Sequence, residues 1–358
     1  MMRENLPPPV TPMLALGSVS KRFVKQLDTA AKLANLFGAG LKQETVHAVD
    51  EVSLDVCPGE VVGLVGESGC GKSTLGRMAV GLHSLSSGAR LWKGKDTEKM
   101  EASQKRAARL AIQMIFQDPY ASLNPRRRVL DLVGEAPVVH RLVDRAHQRE
   151  YVESKLNLVG LDPLMIDRFP HQFSGGQRAR VGIARALAVN PEFLVCDEAV
   201  AALDVSIQAQ VLNLFMSLRD QLNLTYLFIS HDLGVVRHLS DRVVIMYLGR
   251  VVESGPSEEI FSHPNHPYTQ ALLASAPTLV AKKATFVGVQ GEIPSPLNPP
   301  AGCHFHPRCP HATERCKTER PPLVEIAPSH HAACHLNEVA GMAGLARTIQ
   351  IASADAVR

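Results

Sequence analysis

Gly66-Glu67-Ser68-Gly69-Cys70-Gly71-Lys72-Ser73-Thr74 follows the apolar run Val61-Val62-Gly63-Leu64-Val65 and precedes a helical pattern from about Ser73 to Val80. A strand, a glycine-rich turn ending in Lys-Ser and a helix together make the phosphate-binding pattern G-x-x-x-x-G-K-[ST]. Glycines let successive backbone N–H groups turn inward around phosphate oxygens, and the helix N-terminus adds positive potential. In this pattern Lys72 reaches the outer phosphates and the Ser73 hydroxyl ligates Mg²⁺. A chance glycine-rich turn is the alternative, and the correct flanks on both sides argue against it.

Working outward, Ile112 to Phe116, Phe193 to Cys196 and Thr225 to Ile229 are further continuous apolar runs. Such runs suit strands buried on both faces of a largely parallel sheet. Phe193-Leu194-Val195-Cys196 ends in Asp197-Glu198. A buried strand that delivers carboxylates to its C-terminal edge places them where open α/β sheets bind ligands. Asp197 then holds Mg²⁺ through water, and Glu198 orients and deprotonates the attacking water. Between Asp118 and Ser174 strand character vanishes, which predicts an all-helical insertion. Val243 to Tyr247 and Arg250 to Val252, around Gly249, predict a hairpin. Leu14 to Phe23 predicts a strand, and Val24 to Thr45 reads as a surface insertion or a short amphipathic helix.

Phe173-Ser174-Gly175-Gly176-Gln177 discriminates further. Ser174 and Gln177 make a capping box at a helix start. The two glycines exceed what a cap needs and open the helix N-terminus to an anion. With this stretch the chain resembles the ABC ATPases, whose defining motif it matches. The resemblance implies a P-loop NTPase α/β core with an antiparallel β subdomain, an inserted helical subdomain and a small irregular C-terminal domain. It also implies an ATPase whose cofactors are ATP and Mg²⁺. Gly66 to Thr74 hold one chain's nucleotide, while Ser174, Gly175, Gly176 and Gln177 serve the nucleotide of a second ATPase subunit. Gln117 resembles the Q-loop glutamine, a sensor of Mg²⁺ and the attacking water. Ala202-Leu203-Asp204 resembles the D-loop, His231 the switch histidine, and Phe23 the aromatic residue that stacks on adenine. Glu198, His231 and Gln117 are therefore the expected catalytic set.

Phe116-Gln117-Asp118-Pro119-Tyr120-Ala121-Ser122-Leu123-Asn124-Pro125, Ile207-Gln208-Ala209-Gln210-Val211-Leu212, His266-Pro267-Tyr268-Thr269 and Gly302 to Pro310 are similar to the dipeptide/oligopeptide importer ATPases. That resemblance covers most of residues 14 to 335. It implies two transmembrane permease subunits and a solute-binding protein as partners, at the cytoplasmic face of a bacterial inner membrane. Ala199 and Ala201 depart from the family by replacing a usual Pro and Ser, and neither position supplies chemistry. Two rival readings stay open: a soluble ABC ATPase of repair, translation or phosphonate metabolism, and a metal-dependent regulatory switch.

Composition agrees with a peripheral protein. Lys and Arg number 38 against 35 Asp and Glu, so no global field singles out nucleic acid. No run approaches the roughly 20 apolar residues needed to span a bilayer. Prolines interrupt Met1 to Leu16 where a secretory signal would be continuous. The chain divides into a tail (1–13), an ATPase domain (14–265, helical subdomain about 118–190), a C-terminal domain (266–336) and a flexible tail (337–358). Cys303, Cys309, Cys316 and Cys334 crowd the C-terminal domain. In a cytosolic chain they argue for metal before disulfides, and the resemblance raises a [4Fe–4S] cluster, with Zn²⁺ or plain thiols as alternatives. On this reading the cluster staples the tail and leaves ATP binding untouched.

Overall fold

The computed structural model describes residues 11–25, 43–118, 122–275 and 291–339. Two sheets form the frame. The first joins β1 (Leu14–Lys25), β2 (Glu44–Val56), β4 (Ser87–Trp92) and β5 (Lys95–Asp96) in the order β2-β1-β4-β5, all antiparallel. Its inner face carries Leu14, Leu16, Val19, Val52, Leu54 and Val56, all buried, and their alternation with exposed residues sets which face meets the core.

The second sheet has eight strands, β3 (Val61–Val65), β6 (Ile112–Ile115), β7 (Phe193–Asp197), β8 (Thr225–Ile229), β9 (Arg242–Tyr247), β10 (Arg250–Pro256), β11 (Val324–Ala327) and β12 (His330–Ala332), in the order β11-β12-β10-β9-β3-β8-β7-β6. Its centre comprises β3, β6, β7, β8 and β9, paired in parallel. Every residue of β3, β7 and β8 is buried, which explains their unbroken apolar runs. β10 returns antiparallel to β9 as the expected hairpin.

Between β6 and β7 the described residues hold no strand. The helices Val129–Val139, Gln148–Leu158 and Gly175–Leu187 pack there through Val129, Val133, Val152, Leu156 and Val181. The last of these helices leads back into β7, so it couples the insertion to the sheet. The expected strand at Leu14–Phe23 is present and extends to Lys25. Most of the 24–45 insertion lies outside the described residues, as do Pro119, Tyr120, Ala121 and nearly all of the terminal tail.

The region beyond residue 265 packs onto the main sheet. β11 and β12 continue that sheet, with Glu253 of β10 opposite Ala332. Glu253 is fully buried, and its carboxylate accepts from the Asn265 and His266 N–H groups and pairs with His330 Nε2 at 2.8 Å. Tyr268 and Phe305 pack with Tyr247 in the core over β9. Burying an aromatic ring like that of Phe305 contributes about 2–3 kcal/mol, so the segment borrows a core that it is too short to build alone.

Candidate functional site

The loop after β3 is shaped by close approach. A Cβ on Gly66 would lie 2.1 Å from the Met246 carbonyl, and one on Gly71, at φ +105°, would lie 2.1 Å from the Ala48 carbonyl. Only glycine fits either place. The helix Lys72–Ala79 starts directly after Gly71, so its free N–H groups open toward the loop. The Lys72 side chain is buried, and its Nζ donates to the Gly66 and Glu67 carbonyls at 2.7 and 2.9 Å. A cavity of about 690 Å³ lies above it, walled by Ser68, Gly69, Gly71, Lys72, Ser73 and Thr74.

The ends of β6, β7 and β8 lie side by side and deliver the remaining polar groups to this cavity. Ser73 Oγ donates to Asp197 Oδ1 at 2.7 Å. Burial raises the Asp197 carboxyl above its ordinary pKa, against the pull of Ser73 and Arg77. Next in sequence, Glu198 has φ +48°, and its N–H donates to the Ile229 carbonyl of β8. This turn aims the carboxylate away from the strand. Glu198 Oε2 accepts from Gln117 Nε2 at 2.7 Å and sits 3.3 Å from His231 Nδ1. Gln117, Glu198 and His231 all line the cavity, together with Phe23 at its other end. Phe23 is 39% exposed and meets His83 edge-on, with a ring-centre distance of 5.5 Å.

Other expected residues are placed elsewhere. Cys70 is buried under the loop, and Glu67 turns its carboxylate away from the cavity. Ser174, Gly175, Gly176, Gln177 and Asp204 are not among the cavity walls. Ser174 Oγ accepts from the Gln177 N–H at 3.3 Å and Gln177 Oε1 accepts from the Ser174 N–H at 3.0 Å, closing the capping box. Asp204 precedes the helix Val205–Leu222, which packs on Gly175–Leu187 where Ile207 meets Gly176. These two helix starts lie against each other, outside the cavity.

Sequence reading missed Val46, Ala48 and Pro296 as cavity walls. Val46 lies opposite Phe23 in the β1–β2 register, and the Pro296 carbonyl accepts from the His47 N–H at 3.0 Å. The C-terminal segment thus reaches the Phe23 end of the cavity. Only its proline content signals this, and that content names no contact.

Cys303, Cys309, Cys316 and Cys334 surround one small cavity that His266, His306, His311 and His335 also line. All four are free thiols. Burial pushes Cys309 up to about 11 and Cys334 up to about 12, and raises Cys303. The expectation of a metal-binding set finds no support in the described residues. The thiols gather, but among the described residues no three His, Cys, Asp or Glu side chains form a group that could hold a metal ion. Nor is any described helix long and apolar enough to cross a membrane.

Residues 49–201 match the ABC transporter family, and residues 252–316 match the oligopeptide/dipeptide transporter C-terminal region. The oligopeptide transport ATP-binding protein AppF of Bacillus subtilis is 52% identical over 295 residues, covering 81% of this chain and 90% of that one. The oligopeptide transport ATP-binding protein OppF of Escherichia coli is 48% identical, with 81% and 88% covered. Among solved structures, cbiO1 of Clostridium perfringens, part of the ABC transporter complex cbiONQ, superposes with a TM-score of 0.57 at 26% identity over 70% of this chain and 91% of that one. The ATP-binding cassette MJ0796, a dimer with ADP and phosphate, gives 0.56 at 25% identity, with 68% and 99% covered. The chain belongs to the ATP-hydrolysing subunits of ABC transporters, in the branch that carries the oligopeptide/dipeptide transporter C-terminal region.

Proposed function

We propose that this chain energises the import of dipeptides or oligopeptides into a bacterium. The observation that carries the reading is the convergence of Gln117, Glu198 and His231 on a cavity floored by Lys72 and Ser73, in a chain that also holds the peptide-transporter C-terminal region. Relatives named as oligopeptide and dipeptide transport ATP-binding proteins support the substrate class.

In the proposed cycle Phe23 stacks on the base, and Lys72 with the loop N–H groups binds the phosphates. Ser73 and Asp197 are the residues that would hold Mg²⁺, directly and through water, and the ion would neutralise charge on the phosphates. Gln117 positions the water, Glu198 takes its proton, and His231 contacts the outer phosphate. The helix start at Ser174 to Gln177, with Asp204 beside it, completes the site of a second ATPase subunit. Closure of that pair around nucleotide moves two permease subunits, and a solute-binding protein supplies the peptide. The subunit sits at the cytoplasmic face of the inner membrane through its permeases. We divide the chain at residue 265, with the helical subdomain at about 118–190 and tails at 1–13 and 337–358.

The four cysteines belong to the same proposal as ligands of a [4Fe–4S] cluster. Each thiolate of such a cluster binds its own iron, so four sulfurs around a cavity need not meet at one point as they must for Zn²⁺. The cluster would cross-link the C-terminal segment.

The test is uptake. The chain, its genomic-neighbour permeases and partner ATPase are placed in proteoliposomes with the solute-binding protein and a labelled tripeptide. ATP-dependent accumulation that stops with Lys72→Ala is expected. Peptide-independent ATPase activity with no accumulation overturns the import reading.

A further inference from the structure

The phosphate loop carries a carboxylate at its second position, an unfavourable charge beside a ligand as anionic as ATP. The structure meets that charge with a residue 241 positions away. Arg308 donates from Nη1 to Glu67 Oε2 at 2.7 Å and from Nη2 to Glu67 Oε1 at 2.9 Å. Its side chain is 3% exposed, so this paired fork is shielded from water. Arg308 also lies over the Tyr247 and Phe305 rings. From the same region, the Tyr268 hydroxyl accepts from the Glu67 N–H at 2.9 Å. Both the side chain and the backbone N–H of Glu67 are therefore held by residues 268 and 308. The Glu67 carbonyl in turn accepts from Lys72 Nζ.

We infer that Arg308 is a positioning residue for the nucleotide site: it neutralises Glu67 and, with Tyr268, fixes the loop that cradles the phosphates. The cysteine-lined region is thereby joined to ATP affinity, because Arg308 closes the short turn His306–Arg308 directly before Cys309. This differs from the sequence expectation that the tail is independent of ATP binding. Arg308 touches no reacting atom, and its effect passes through Glu67.

The inference rests on the assignment of residues 66–74 as the nucleotide site, and the experiment separates the two. Equilibrium binding of ATP to the full chain is measured for wild type, Lys72→Ala, Arg308→Ala, Arg308→Lys and Arg308→Ala/Glu67→Gln. Thermal melts of each variant verify folding. Losing the guanidinium leaves a half-buried carboxylate uncompensated, so Arg308→Ala should weaken ATP binding about tenfold or more. Arg308→Lys should fall between, since it keeps the charge without the fork. Removing the carboxylate as well should recover most of the loss, an outcome that a purely structural role for Arg308 would not produce. If Arg308→Ala does not fold, Arg308→Gln with and without Glu67→Gln carries the same comparison. Binding within about twofold of wild type in Arg308→Ala, or a double variant as weak as the single one, overturns the inference while Lys72→Ala still abolishes binding. Unchanged binding in Lys72→Ala as well overturns the site assignment and the inference with it.

Discussion

Gln117 and Glu198, 81 residues apart, are joined by a 2.7 Å hydrogen bond from the glutamine Nε2 to the glutamate Oε2, with His231 Nδ1 3.3 Å from the same oxygen. Adjacency of β6, β7 and β8 at their C-terminal ends produces this arrangement. Glu198 is thus held through one carboxylate oxygen by two side chains from neighbouring strand ends. Glu198→Gln should keep ATP binding but lose hydrolysis by about 10²–10⁴, the range for removing a general base. Lys72→Ala should fail earlier, at binding. Single-turnover hydrolysis with size-exclusion of the ATP complex checks both, and near-normal hydrolysis by Glu198→Gln rejects the assignment.

Gly175 and Gly176 separate packing from charge. A Cβ on Gly176 would lie 2.4 Å from Ile207 Cγ2, whereas one on Gly175 meets only Leu203 Cδ2 at 3.7 Å, an ordinary contact. Gly176→Asp therefore perturbs the fold as well as the field, and Gly175→Asp is the cleaner probe. Gly175→Asp should leave ATP binding by the isolated chain intact and reduce steady-state hydrolysis roughly 100-fold, as removal of a transition-state contact does. Mixed with Lys72→Ala in a homodimer, it should regain one complete composite site. Failure of ATP binding itself in Gly175→Asp would leave only the capping role.

The parts legible in the sequence were those written locally. β3, β7 and β8 appear as unbroken apolar runs because both faces are covered. The loop at 66–74 and the cap at 174–177 are short patterns whose geometry follows from a few residues. Pro296 and Arg308 were not legible, since their roles depend on contacts across 249 and 241 residues, with His47 and Glu67. β11 and β12, of four and three residues, are too short to show a period, and pairing with β10 decides them.

Acid should loosen the C-terminal region. His266 is wholly buried, and burial lowers its pKa to about 4, although Glu253 pulls the other way. Its Nδ1 accepts from the Tyr268 N–H at 3.0 Å, a bond that only the unprotonated nitrogen can make. The unfolded imidazole takes a proton near pH 6.5, well before the folded one. The unfolded state therefore binds more protons between those values. Stability is complete above about pH 6.5 and falls steadily as pH drops toward 4, by at most about 3 kcal/mol from this residue. Melting temperature against pH should be flatter between pH 7.5 and 5 for His266→Asn than for wild type. Equal slopes would assign the acid sensitivity to groups other than His266.

The cysteine region gives the most demanding prediction. Burial holds Cys309 and Cys334 at about 11 and 12, so without a compensating cation both stay protonated at neutral pH. The Cys334 thiol is close enough to Cys303, Cys309 and Cys316 for each of their charges to disfavour its own ionisation. In the proposed cluster, iron would supply the positive charge that four thiolates in that space need. Anaerobically purified protein should be brown, with a broad absorbance near ~400 nm and about four iron atoms per chain. Replacing any one cysteine with Ser should bleach it. Because Arg308 adjoins Cys309 and grips Glu67, Cys309→Ser should also weaken ATP binding, by less than Arg308→Ala does. Iron and sulfide analysis, visible spectra and ATP titration of the same preparations decide among the possibilities. Colourless protein with one zinc per chain would replace the cluster with zinc, and colourless, metal-free protein would leave four free thiols whose packing alone supports the turn at His306–Arg308.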